Sequence, residues 1–344
     1  MKKKILVLLT GGTIGSEAST GTIELRREGS HIVALYLKGE HRQEVDFDVV
    51  SIENIASENA TLHDLTAIVN TLAGVDTSFY SGVIVCYGTD TLAYASNLTA
   101  MALPAYPIPV VFVSSDKPLN EAGANGLVNF SCAVDFICGT GLNGVYVSYQ
   151  NPNEQARIHF GSRLLQSELL TDRFRSAADL FFGTMENGAF VYHEVCGNPS
   201  LQEIKEKKSG DAVRALTGEP PAILYIKPCP GADFTIYHIE PRKPTVAVVE
   251  LYHSGTGPAE GKTSLAEFIT RCRSQSIPVV LASYPYQDGR RYTTTKTLLE
   301  KGGIFAYRMS TEAAYAKTAL YFMSKSNQSL VDYLDKELFF EILN

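Results

Sequence analysis

Ile5-Leu6-Val7-Leu8-Leu9-Thr10-Gly11-Gly12-Thr13-Ile14-Gly15 sets five consecutive apolar residues directly before a run of small polar ones. A second stretch has the same form: Gly82-Val83-Ile84-Val85-Cys86-Tyr87-Gly88-Thr89-Asp90-Thr91-Leu92. Near-continuous apolar, β-branched runs read as strands buried on both faces, the habit of parallel sheets. Gly, Thr and Asp at the carboxyl end of such a strand stand where ligand sites form in open α/β sheets. Fold and candidate site are therefore read from the same residues.

Working outward, residues 108–114 and 144–149 read as further buried strands. Between the strands, 61–72, 91–101 and 126–136 carry apolar residues at helical spacing. This βαβα alternation predicts an α/β fold with a largely parallel sheet covered on both faces. Residues 151–176 show no clear period and several Arg, and are expected to be irregular strand and loop. A polar segment at 197–221, with a Lys/Glu cluster and ending in Pro220-Pro221, reads as a linker with at most one helical turn. Beyond it the alternation resumes, with strands expected at 245–251, 278–283 and 303–305 and helices at 264–275, 294–301 and 311–323. The expected organisation is a parallel-sheet N-terminal domain (1–196), the linker, and a smaller α/β C-terminal domain (222–344).

Size and charge narrow the function classes. The chain has 344 residues, more than the ~250–300 at which a single core stops growing. A net charge of −7 offers no electrostatic reason to bind nucleic acid. No run of ~18 apolar residues is present, so no membrane span is expected. Met1-Lys2-Lys3-Lys4 and the apolar run after it resemble a secretory signal, but that run is shorter than a signal core, and a cytoplasmic protein is expected. The six cysteines include no C-x-x-C pair, and the seven histidines show no metal spacing.

Two nucleotide-like motifs fail on context. Gly139-Thr140-Gly141-Leu142-Asn143-Gly144 fits G-x-G-x-x-G but follows a helix and precedes a strand, the reverse of the dinucleotide order. Gly257-Pro258-Ala259-Glu260-Gly261-Lys262-Thr263 is one residue short between its glycines for a phosphate loop. Both read as turns.

The chemistry lies in the two opening stretches. Their glycines let a ligand approach the backbone and leave amides free to face an oxyanion. Thr13 is a candidate hydroxyl nucleophile, and Thr89 is a second hydroxyl beside the carboxylate of Asp90. Thr10-Gly11-Gly12-Thr13-Ile14 together with Tyr87-Gly88-Thr89-Asp90-Thr91-Leu92 resembles the two signature motifs of the bacterial-type L-asparaginases, most closely the cytoplasmic type I branch. Ile55-Ala56-Ser57-Glu58-Asn59 resembles that family's substrate-binding turn. The stretch 109–118 with Asn125-Gly126 and Asn129 resembles its following strand and loop. Ile226-Lys227-Pro228-Cys229-Pro230-Gly231 and Glu312-Ala313-Ala314-Tyr315-Ala316-Lys317 resemble segments of its C-terminal domain.

The resemblance implies a threonine amidohydrolase acting on a small amino-acid amide without metal or cofactor. It casts Thr13 as the nucleophile, with Thr89 and Asp90 as the second Thr and its acidic partner. Ser57, Glu58, Gly88 and Ser115 would bind substrate. It further implies a homodimer or homotetramer in which the segment 251–258, bearing Pro258 where the family often has Asn, reaches a neighbour's pocket.

Three departures from the family stand out. Tyr87 replaces a His, Thr22 stands where a loop Tyr is expected, and Gln166 stands where a Lys is expected. No Lys occurs between Lys117 and Lys205, and Arg163, always charged, is no base. The alternative is a divergent protein of this fold with weak or no hydrolysis that binds an amino acid or serves as an amidotransferase-type subunit.

Overall fold

In a computed structural model, residues 2–11, 14, 16–19, 22–25, 31–39, 43–52, 55–104, 106–207, 215–285 and 291–343 are described. The chain divides into two compact units, Met1–Leu216 and Thr217–Asn344, and the division falls inside the polar 197–221 segment. No helix among the described residues is long and apolar enough to cross a membrane.

The first unit opens with β1 (Lys3–Leu9), a hairpin of β2 (Ser16–Ser19) and β3 (Thr22–Leu25), α1 (His31–Lys38) and β4 (Val45–Ser51). It continues through α2 (Leu62–Ala73), β5 (Gly82–Cys86), α3 (Leu92–Ala102), β6 (Pro109–Val113), α4 (Gly126–Thr140) and β7 (Gly144–Gln150). Strands β8 (Ala156–Phe160), β9 (Gly183–Glu186) and β10 (Ala189–Tyr192) and the short α5 (Leu201–Glu206) complete it.

Eight of these strands form one sheet in the order β10-β9-β8-β7-β6-β5-β1-β4. From β4 to β7 neighbouring strands are parallel, and from β7 to β10 they are antiparallel. Every residue of β5 and β6 is buried, as the unbroken apolar runs require of strands covered on both faces. The chain leaves β1 for β4 on one side and returns to lay β5 on the other, so the strand order reverses between β1 and β5. At such a switch point the connections diverge and leave a crevice at the carboxyl ends. Leu9 and Cys86 are register partners, so Thr10-Gly11 and Tyr87-Gly88 leave the sheet side by side. Thr10 seals the junction: its amide and its Oγ1 both donate to the Cys86 carbonyl, at 3.2 and 2.9 Å.

Within 151–176 the strand is β8, and the rest is turns, a single 3₁₀ turn and isolated bridges. In β8 the polar Arg157 and His159 interrupt the apolar run, yet both are accommodated. Arg157 lies over the Phe181 ring at 4.4 Å and pairs with Glu154 at 3.1 Å. His159 is fully buried, and its Nδ1 lies 2.8 Å from Ser176 Oγ. Burial, with Arg157 adding to it, lowers the His159 imidazole from its ordinary 6.5 to about 3. The folded protein therefore holds it neutral while the unfolded chain takes up a proton below about pH 6.5. Stability from this group is complete above that pH and falls toward pH 3 by up to ~1.4 kcal/mol per unit. Thermal unfolding from about pH 7.5 to 5 should show this decline, and His159→Gln should flatten the slope relative to the parent.

The second unit comprises β11 (Ile223–Ile226), β12 (Val246–Glu250), α6 (Leu265–Ser274), β13 (Val279–Tyr284), α7 (Thr293–Glu300), β14 (Ile304–Tyr307), α8 (Thr311–Met323) and α9 (Leu330–Asp335). Its four strands run parallel in chain order. Val249, Phe268, Leu281 and Phe305 share its core. Gly255 has φ +72, and a Cβ there would lie 2.2 Å from the Tyr284 ring, so only glycine fits. Lys317 and Glu341 form a buried ion pair at 2.6 Å. The ammonium also donates to the carbonyls of Leu334 (2.9 Å) and Lys336 (2.6 Å). Glu341 in turn accepts the Leu338 and Phe339 amides at 2.8 and 2.7 Å.

The two nucleotide-like motifs are turns here. Gly141 caps α4 in the left-handed conformation, φ 59, and Ser264 caps α6 by accepting from the Glu267 amide.

Candidate active site

The carboxyl end of β5 carries the best-defined part of the crevice. Tyr87 is held to the neighbouring strand end by its amide, which donates to the Val113 carbonyl at 2.9 Å. From there the chain rises out of the core: Gly88 is buried, Thr89 half-buried and Asp90 exposed. Thr91 occupies the N-cap of α3 but makes no side-chain cap bond. Its hydroxyl instead donates to the Ser57 carbonyl at 2.9 Å. Behind it, Tyr87 Oη lies 2.9 Å from Thr91 Oγ1.

Ser57 opens a single 3₁₀ turn, Ser57–Asn59, following the chain's exit from β4. Its buried hydroxyl donates to Asp90 Oδ2 at 2.7 Å, and the Asp90 amide returns to Ser57 Oγ at 3.3 Å. Glu58, beside it, is exposed. A third element reaches the same turn: Gln166 Nε2 donates to the Asp90 carbonyl. Gln166 rides a narrow hairpin closed by the Leu164–Ser176 and Glu168–Arg173 bridges. Ser57, Gly88, Thr89, Asp90 and Gln166 thus converge.

Burial pushes the Tyr87 hydroxyl up to about 12. It is a proton donor throughout the physiological range and cannot serve as a base. Arg163 is buried and directed elsewhere, with its guanidinium on the Gly197 carbonyl (2.9 Å) and Asn198 Oδ1 (3.1 Å).

Ser115 lies beyond β6, the next strand along. It is fully buried and its hydroxyl donates to the Lys117 carbonyl. Its loop is clamped by reciprocal bonds between Asp116 and Asn125, at 2.9 and 3.0 Å. Asn129 adds a bond from Nδ2 to the Ser114 carbonyl at 2.9 Å. These asparagines act as scaffold. Thr13 lies outside the described residues, and Thr22 is described for its backbone alone. The flanking Gly11 has a left-handed φ of 100, and Ile14 is buried.

One connection was not legible in the sequence. Thr91 reads as an ordinary helix cap, and nothing in its neighbours distinguishes that role from a bond to a turn 34 positions away. A separate cleft of about 510 Å³ opens at the amino ends of the strands, lined by Lys2, Lys3, Gln43, Val45, Asp135 and Cys138. Much of its polar lining is already paired, Gln43 with Asp135 at 3.0 Å and Lys2 with Asp46 at 2.6 Å.

In chemical terms, an exposed carboxylate and a seryl hydroxyl stand together beyond the carboxyl end of β5, beside the threonine hydroxyls of the same turn. That set can bind a cationic group at the carboxylate and accept or donate hydrogen bonds at the hydroxyls. The family described as "Asparaginase, N-terminal" matches residues 4–195. L-asparaginase of Thermococcus kodakarensis is 27% identical over 332 residues, covering 91% of each chain. One component of the glutamyl-tRNA(Gln) amidotransferase of Methanobrevibacter smithii is 25% identical over 331 residues, covering 92% of this chain and 71% of that protein. The solved structure of the thermostable L-asparaginase from Thermococcus kodakarensis superposes with a TM-score of 0.82 at 24% identity, covering 99% of both chains.

Proposed function

The chain belongs to the asparaginase family, and from that premise we propose that it hydrolyses the side-chain amide of L-asparagine to aspartate and ammonia. The observation that carries this reading is the Ser57–Asp90 hydrogen bond at the switch-point crevice. There a carboxylate is offered to an α-ammonium, and the Ser57 hydroxyl, which otherwise donates to Asp90, turns its one proton to an α-carboxylate when substrate binds. Asp90 takes the ammonium, while Ser57 and Glu58 surround the carboxylate and amine, and Gly88 and Ser115 belong to the wall of the site. The Thr13 oxygen attacks the amide carbon, and backbone amides of the glycine turns receive the developing oxyanion. The Thr13 proton passes to the departing nitrogen, ammonia leaves, and water cleaves the resulting ester to restore the hydroxyl. Thr89 is the second hydroxyl, oriented beside Asp90. The working protein is a cytoplasmic homodimer or homotetramer.

A second reading rests on one specific feature. Gln166 presents a neutral amide where the resemblance expects Lys, and an amide cannot accept a proton. On that reading the pocket binds an amino acid with little turnover, alone or as an amidotransferase-type subunit. Ammonia release from L-Asn, L-Gln and their D-isomers separates the two. Release from L-Asn supports the hydrolase, and none from any of the four favours the binding protein. Because Gln166 already reaches the Asp90 turn, Gln166→Lys is expected to raise kcat by ~10²-fold, the lower range for an acid–base partner. An unchanged kcat would show that other groups carry the proton.

A further inference from the structure

The Tyr87 hydroxyl sits at the root of the site and takes part in none of the steps above. Its ring is buried and meets Phe112 edge-on, with centroids 6.3 Å apart. Thr91 Oγ1 has a single proton, which it donates to the Ser57 carbonyl. The phenol must therefore be the donor in the 2.9 Å contact between Tyr87 and Thr91. Hydrogen bonding runs one way, from Tyr87 to Thr91 to the Ser57 carbonyl. That carbonyl also accepts the Ala60 amide at 3.2 Å, which closes the turn carrying the Ser57 side chain. Chains of this kind polarise one another, so the donor at the base strengthens the bond at the tip.

We propose that Tyr87 is a positioning residue: acting through Thr91, its hydroxyl fixes the Ser57 turn and thereby the Ser57–Asp90 pair that recognises the substrate's α-groups. The proposal rests on the reading of Ser57 and Asp90 as substrate-binding groups, although its structural half stands apart from catalysis. Burial keeps the phenol protonated, so the support it lends does not vary across neutral pH.

The test pairs Tyr87→Phe, which keeps the ring, with Thr91→Val, which removes the relay, and Thr91→Ser, which keeps it. Amide hydrogen exchange is followed at Ala60 and Asp90, whose N–H groups bond to Ser57, with β5 as the internal reference. Loss of one hydrogen bond is worth about fivefold to tenfold. Tyr87→Phe and Thr91→Val should therefore speed exchange at those two amides by about that factor while leaving β5 unchanged, and Thr91→Ser should restore it. KM for L-Asn should rise by a similar factor with kcat within about twofold. In a Ser57→Ala background the effect of Tyr87→Phe on KM should disappear, because the tyrosine acts through that residue. Unchanged exchange at Ala60 and Asp90, or a KM effect that persists undiminished without Ser57, would overturn the proposal. A parent protein that released no ammonia would instead defeat the hydrolase reading, and exchange alone would then decide the role of Tyr87.

Discussion

Thr13→Ala should lower ammonia release from L-asparagine by ~10⁴-fold or more while leaving aspartate binding intact. Without its hydroxyl no acyl-enzyme can form, so the two-step route closes. The proposed oxyanion donors and the groups proposed to hold the α-ammonium and α-carboxylate remain, and a residual rate above that of water is expected from them. Binding and chemistry thus come apart in this variant. Calorimetric titration with aspartate should match the parent, and single-turnover mixing should yield no covalent intermediate. Thr89→Val is expected to fall by ~10²–10⁴-fold, because the proposed second hydroxyl of the proton transfer is then lost. A Thr13→Ala protein that kept its activity would remove the proposed nucleophile and send the search to another hydroxyl of the crevice.

Lys317→Met should destabilise the second unit by ~3–5 kcal/mol. The ammonium fills a dry position in which all three of its protons are used, by Glu341 and by the carbonyls of Leu334 and Lys336. Methionine matches the stem but leaves the Glu341 carboxylate buried without its counter-charge. Breaking one side of such a pair costs far more than the pair contributes, because the surviving ion keeps its desolvation penalty. Pairing the change with Glu341→Gln should recover part of the loss, since the neutral amide still accepts from Leu338 or Phe339. Urea unfolding followed by a probe within α8 or α9 reads the effect. A change below ~1 kcal/mol would mean that water reaches the pair.

What the sequence makes legible divides along physical lines. Strands β1, β5, β6 and β7 stand out because burial on both faces demands unbroken apolar runs. So do α2, α3, α4 and the helices α6 to α8 of the second unit, whose buried stripes recur at helical spacing. The strands without a clear signature are those with mixed surroundings. β4 lies at the sheet edge and leaves Val49 and Val50 exposed, so its pattern is neither continuous nor alternating. β8 hides an Arg and a His among its apolar residues, each accommodated by partners farther along the chain. For the site, local motifs identified the turns but not their mutual bonds. The ties of Ser57 to Asp90 and to Thr91 span more than thirty positions, and no periodicity encodes them.

The placement of β1 has a consequence for how the protein is made. This strand is synthesised before either of its neighbours, yet it lies inside the sheet between β4 and β5. On the ribosome it must wait for residues 45–51 to cover one edge and for residues 82–86 to cover the other. Throughout that interval Ile5–Leu9 is an apolar segment with open hydrogen-bonding edges, the form most prone to pair with another chain. The three lysines at positions 2–4 stand just ahead of it. Like charges on neighbouring nascent chains repel one another, and here they do so next to the segment that has the longest wait.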